Sequence, residues 1–163
     1  MRATRKRQIP GMKPKVLVVD DEPEFAALVS YHLELQGCQA LVAGNGVEAL
    51  HLARLHLPDV ILLDLLLPDL DGFSVCQILQ AQPSTREIPV FIVSALDEPW
   101  GGQRGCKARF SKYFKKPVDL VALGQSVRAS WEAHNELRRA FLEEKPTRAA
   151  APPMLRTKRL AAG

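Results

Sequence analysis

The chain has 163 residues, 47% of them apolar and 25% charged, enough for one globular domain with some surplus but not for a second full domain. Its net charge of +4 is uneven: residues 1–15 hold six basic side chains, 145–163 hold five, neither segment holds an acid, and 16–144 sets 11 basic against 18 acidic residues. The positive charge thus belongs to two ends expected to be disordered arms, 1–14 and the Pro/Ala-rich 145–163, around an acidic domain; no apolar run nears the ~18 residues of a membrane span and the start MRATRKRQIPGMKPK lacks the apolar region of a secretory signal, so a cytoplasmic protein is expected.

From residue 15 onward, short apolar runs alternate with amphipathic stretches, the mark of repeated βα units and a parallel sheet. Val16–Val19 predicts the first strand. Pro23 suits the first turn of a helix, Phe25, Leu28, Val29, His32 and Leu33 repeat at helical spacing, and Gly37 closes it. Gln39–Val42 predicts the second strand, and a second helix over Gly46–His56 follows Asn45 as N-cap and stops before Pro58. The third strand is Val60–Leu63, and the third helix is Gly72–Gln80 with Phe73, Val75, Cys76, Ile78 and Leu79 as its apolar positions. Val90–Val93 is the fourth strand; like the first and third it is nearly unbroken apolar sequence, which predicts cover on both faces. Glu98–Ala108, with Pro99, Gly101, Gly102 and Gly105, makes a poor fourth helix. Tyr113–Lys115 is the fifth strand. The last helix begins near Asp119 and stays helix-compatible to about Glu144, so its far half, 131–144, is expected to project or to pair with something. Val127, Trp131, His134, Leu137, Phe141 and Leu142 form a stripe along it, which suits self-association or folding back on the domain. The fold class is a doubly wound α/β domain with five parallel strands.

In such a sheet ligands bind at the carboxyl ends of the strands, so the residues after each apolar run carry the chemistry. They are Asp20-Asp21-Glu22, Asp64, Ser94-Ala95 and Lys116-Pro117. Taken singly each has a plain use, as helix cap, turn hydroxyl or solvated charge; together they put carboxylates, a hydroxyl and an ammonium on one rim. Two carboxylates ~4 Å apart repel by about 4 kcal/mol at an effective dielectric near 20, so the cluster calls for a cation, and with oxygen ligands only that is Mg²⁺. Asp64 interrupts the run ILLDLLL, where an acid must be paired, metal-bound or reactive. A carboxylate so placed can attack phosphorus. Asp69-Leu70-Asp71-Gly72 looks like part of a calcium loop but lacks the third acid and the later Glu, so a turn is expected. His32, His51, His56 and His134 share no metal spacing, and Cys38, Cys76 and Cys106, odd in number and without CxxC spacing, read as buried free thiols.

The segments VLVVDDEPEF, DVILLDLLLPDLDGF, PVFIVSA and YFKKP, in this order and at these spacings, resemble the receiver domain of two-component response regulators over about residues 15–130. The resemblance implies a flavodoxin-like (βα)5 fold and a regulatory phosphoacceptor rather than an enzyme with turnover. It makes Asp64 the phosphoacceptor, served by a sensor histidine kinase or a histidine phosphotransfer protein. Asp21 and Asp64 would ligate Mg²⁺ directly, Asp20 mainly through water, and the carbonyl of Leu66 would complete the protein ligands. Lys116 would contact the phosphoryl oxygens, with Pro117 after a cis bond, while Ser94 and Tyr113 would form the switch. Two departures stand out. Arg109 and Phe110 replace a Gly-Ala pair common before the switch aromatic, which makes the partner face unusual. Leu66 and Leu96 offer no polar side chain to orient a hydrolytic water, so a slowly hydrolysed acyl phosphate is expected. Residues 145–163 are too few for an output domain, so output is expected through a protein partner. The alternatives are a receiver fold used without phosphorylation, through basic arms on nucleic acid or a long-helix homodimer, and an aspartyl-nucleophile phosphatase of the haloacid-dehalogenase type. Asp20-Asp21 lacks the D-x-D spacing of the last.

Overall fold

The computed structural model describes residues 12–97 and 110–143. The elements follow the expected alternation: β1 (Lys15–Val19), α1 (Pro23–Leu35), β2 (Gln39–Ala43), α2 (Gly46–His56), β3 (Val60–Leu63), α3 (Gly72–Ala81), β4 (Val90–Ser94), β5 (Lys112–Lys115) and α4 (Leu120–Glu143). Boundaries differ from the predicted ones by a residue, the usual fraying of element ends. The predicted helix over Glu98–Ala108, Cys106, Arg109 and the outer parts of both basic ends lie outside the described residues.

All five strands are parallel, in the order β2-β1-β3-β4-β5. The central three are buried apart from Lys15 at the start of β1, as unbroken apolar runs require, while edge strands β2 and β5 carry exposed residues. Alternate side chains supply two cores. Leu17, Val19, Ile61, Leu63 and Ile92 meet α2 and α3; Val16, Val18, Val60, Leu62, Phe91 and Val93 meet α1 and α4. Each fully buried aliphatic side chain in these layers contributes roughly 1.5–3 kcal/mol relative to exposure. The register pairs Val19 with Leu63, so the next residues, Asp20 and Asp64, leave the sheet side by side.

The helix ends are closed by local chemistry. Gly37 lies at φ +82° after α1, its N–H donates to the Glu34 carbonyl and that of Cys38 to Leu33, the paired bonds of a Schellman turn. Asn45 caps α2 by accepting from the Glu48 N–H at 2.8 Å, and Asp119 caps α4 by accepting from Val121 and Ala122. Along α4 the predicted apolar stripe divides. Val127 and Trp131 are buried against the domain, whereas Leu137 is 73% exposed. Cys38 and Cys76 are buried free thiols, as expected. Among the described residues no helix is long and apolar enough to cross a membrane.

Candidate functional site

Four strands deliver the rim, because the backbone ladder runs one residue past each apolar run. The Asp20 N–H donates to the Ala43 carbonyl, that of Asp64 to Val19, and that of Lys116 to Ser94. Asp20, Asp64 and Ser94 are thereby held almost fully buried, at 3%, 4% and 0% exposure, while Asp21 is exposed. One Asp64 carboxylate oxygen accepts from the Ser94 hydroxyl at 2.8 Å and from the Leu66 N–H at 3.0 Å. The other accepts from the Lys116 ammonium at 2.9 Å, which also donates to Asp20 at 2.8 Å. Asp20 uses its second oxygen on the Glu22 N–H at 2.9 Å. The Lys116–Pro117 peptide is cis. Tyr113 is half-buried against the first core, and its hydroxyl donates to the carbonyl of Leu96, just past β4.

The electrostatics follow from burial with too few donors. Burial pushes the Asp20 carboxyl above its ordinary range, against the hydrogen bonds from Lys116 and the Glu22 N–H. Burial also works against the charge of Lys116, but the hydrogen bonds and charges of Asp20 and Asp64 outweigh it and hold the ammonium above the usual lysine range. One ammonium faces two buried carboxylates, with Asp21 beside them and Glu22 at 3.5 Å. Among the described residues the rim is short of positive charge.

Carboxylate oxygens of Asp20, Asp21 and Asp64 lie within 4.8 Å of one another. Three convergent carboxylates and, among the described residues, a single counter-charge suit a hard divalent cation with oxygen ligands, so the donor set fits Mg²⁺. Every residue assigned to this rim from the sequence is found at it, with Tyr113 and the exposed Leu66 at its border.

The sequence reading missed the supports. Gly72 packs so closely on the strand-to-helix loop that a Cβ would meet the Asp64 carbonyl and lie 2.7 Å from the Leu65 Cα, so only glycine lets α3 seat there. Asp69 accepts from the Gly46 and Val47 N–H groups at 2.8 Å each, tying the loop that follows Asp64 to the start of α2. Asp71 caps α3 through the Ser74 N–H at 3.0 Å and hydroxyl at 2.6 Å. The Asp69–Gly72 segment is therefore a turn that caps two helices, as the missing calcium ligands suggested. Gly72 could have been found, since a glycine directly after a capping Asp marks a close approach as readily as a helix start.

Comparison with known proteins agrees with this geometry. The family described as response regulator receiver domain matches residues 16–128. The chain is 38% identical over 116 residues to the DNA-binding dual master transcriptional regulator RpaA of Synechocystis, covering 71% of this chain and 48% of that protein. It is 36% identical over 119 residues to protein PilH of Pseudomonas aeruginosa, covering 71% of this chain and 95% of PilH. The chain thus spans about half the length of the first relative and nearly all of the second. Among solved structures, the receiver domain of the Francisella response regulator 1452 superposes with TM-score 0.68 at 35% identity, covering 75% of this chain and 99% of that one. The receiver domain of sensor histidine kinase PA1611 from Pseudomonas aeruginosa, solved with magnesium in its active-site cleft, superposes with TM-score 0.67 at 25% identity, covering 74% and 99%.

Proposed function

The chain belongs to the receiver-domain family of two-component response regulators, and from that premise we propose that Asp64 accepts a phosphoryl group from a phosphohistidine. The donor is a sensor histidine kinase or a histidine phosphotransfer protein, and the phosphorylated chain changes its affinity for a protein target. The observation that carries the reading is the Asp64 carboxylate itself, buried at a strand end and held by Ser94 and Lys116. Receiver domains are regulatory phosphoacceptors, which supports this role over that of a phosphatase that turns over a substrate.

In the reaction an Asp64 oxygen attacks phosphorus, the P–N bond breaks, and the imidazole leaves with the electron pair and takes up a proton. Mg²⁺ would be held by Asp21 and Asp64 directly, by Asp20 mainly through water and by the Leu66 carbonyl, and when bound it neutralises charge on the phosphoryl oxygens. The Lys116 ammonium, already 2.9 Å from Asp64, needs little movement to pair with a phosphoryl oxygen. Ser94 gives up its bond to Asp64 for one to the phosphoryl group, and Tyr113 leaves the Leu96 carbonyl to turn in behind it. Phosphorylation thus biases a two-state element by adding charge and acceptor oxygens.

The test is intact mass of the full chain after incubation with acetyl phosphate and Mg²⁺, beside Asp64→Asn and a sample with EDTA. A single adduct of ~80 Da that needs both metal and Asp64 is expected. No adduct in a folded protein would reject the reading and favour a receiver fold used without phosphorylation. With Leu66 and Leu96 apolar, the adduct is expected to decay slowly, and a half-life of seconds would reject that part.

A further inference from the structure

Phe25 sits in the first turn of α1, directly after the acidic segment, and its helical spacing suggests nothing beyond a core position. The structure puts its ring elsewhere as well. The Lys116 ammonium lies 4.2 Å from the ring centroid, while Phe25, like Phe114, Val118 and Leu120, packs against the second core.

The ammonium has three N–H bonds to direct. Two go to Asp20 and Asp64 at 2.8 and 2.9 Å. Among the described residues the third finds the ring and Glu22, whose carboxylate accepts at 3.5 Å with its side chain 67% exposed. The Lys116 side chain is itself 12% exposed, so little of it is open to solvent. An aromatic face attracts a cation through its quadrupole, and more strongly where water is excluded. An aliphatic side chain would fill the same space without that attraction.

We infer that Phe25 is a positioning residue for the phosphoryl-transfer site: its ring holds the Lys116 ammonium, desolvated, between Asp20 and Asp64. A charge that is already placed and stripped of water stabilises the transferring group without reorganising at the moment of reaction. Without the ring, water reaches the ammonium and the side chain drifts toward Glu22. The inference rests on Asp64 being the phosphoacceptor, but its geometry can be read in the resting protein.

The experiment replaces Phe25 in the full chain by 4-fluoro-, 3,5-difluoro- and 3,4,5-trifluorophenylalanine, which weaken the ring's attraction for a cation while nearly keeping its shape. Two quantities are followed: exchange of the Lys116 ammonium protons with water, by NMR in the unphosphorylated protein, and the initial rate of phosphorylation by acetyl phosphate with Mg²⁺. Exchange is expected to quicken with each fluorine and the rate to fall in the same order, by about three- to tenfold in total. Phe25→Leu, which keeps an apolar side chain, is expected to match or exceed the trifluoro ring. Exchange that is flat along the series overturns the inference, and so does a graded exchange with a flat rate. Absence of any adduct with the parent protein overturns the phosphoacceptor reading, and the exchange series then still reports whether the ring holds the ammonium.

Discussion

Two sets of aspartates lie close together in this molecule and do opposite things. Asp20 and Asp64 are buried, share one ammonium, and take few backbone hydrogen bonds. Asp69 and Asp71, only a few positions after Asp64, are exposed and accept N–H groups at the starts of α2 and α3. The bonds lower their pKa values, led by Val47 for Asp69 and by the Ser74 hydroxyl for Asp71, whereas burial raises that of Asp20. The same side chain is a stabilising cap where backbone donors saturate it and a reactive or cation-binding group where burial leaves it short of them.

The two sets of aspartates are not expected to exchange roles, and the largest effect tests this directly. Asp64→Asn is expected to abolish the phosphoryl adduct in intact-mass measurements, while Asp71→Asn leaves it unchanged. Next in size, Lys116→Ala strands Asp20 and Asp64 as buried charges and is expected to cost about 3–5 kcal/mol in urea unfolding with EDTA present. Added Mg²⁺ should recover part of that loss, since a divalent ion replaces the missing charge. A cost unchanged by Mg²⁺ would mean that these carboxylates do not hold the ion. Asp71→Ala removes only a helix cap, and about 1 kcal/mol is expected in the same assay, with no change in the rate of adduct formation.

The acid limb of the stability curve gives the finest test, because the signs differ. Asp69 and Asp71 have lowered folded-state values, so the stability they add is present above the ordinary carboxylate range and is lost as pH falls through those lowered values. The double variant Asp69→Asn, Asp71→Asn is therefore expected to lose less stability than the parent between pH ~4 and ~2. Asp20, raised by burial, acts the other way: its contribution improves as pH falls through its raised value. The Asp20 window lies above pH ~4 and that of the caps below it, so urea midpoints taken on both sides of pH ~4 separate the two, and parallel curves for parent and double variant below pH ~4 would reject the assignment of the caps.

Much of the fold was legible because it depends on local pattern. Val60–Leu63 reads as a buried strand from four apolar residues, Pro23 and Gly37 bracket α1, and Asn45 caps α2 as its residue type suggests. The rim was legible for a related reason, since a parallel sheet sends the residues after each run to one edge. The supports were not. Asp69 caps a helix whose first residue is 23 positions earlier, and Phe25 meets an ammonium far along the chain. Nothing near Asp69 or Phe25 in sequence marks either contact. On α4 the apolar stripe was visible, but only packing against the domain separates buried Val127 and Trp131 from exposed Leu137.

By itself the sequence determined the succession of strands and helices and the kinds of group at the strand ends, because periodicity and capping act over a few residues. The tertiary structure decided which of those groups meet. Lys116 lies 96 residues from Asp20 and 52 from Asp64, yet it bonds to both. That meeting follows from the strand order β2-β1-β3-β4-β5 and from the register that sets Asp20 beside Asp64. Burial then leaves the cluster short of counter-charge, since taking water away from an excess of carboxylates leaves a charge that a cation can answer.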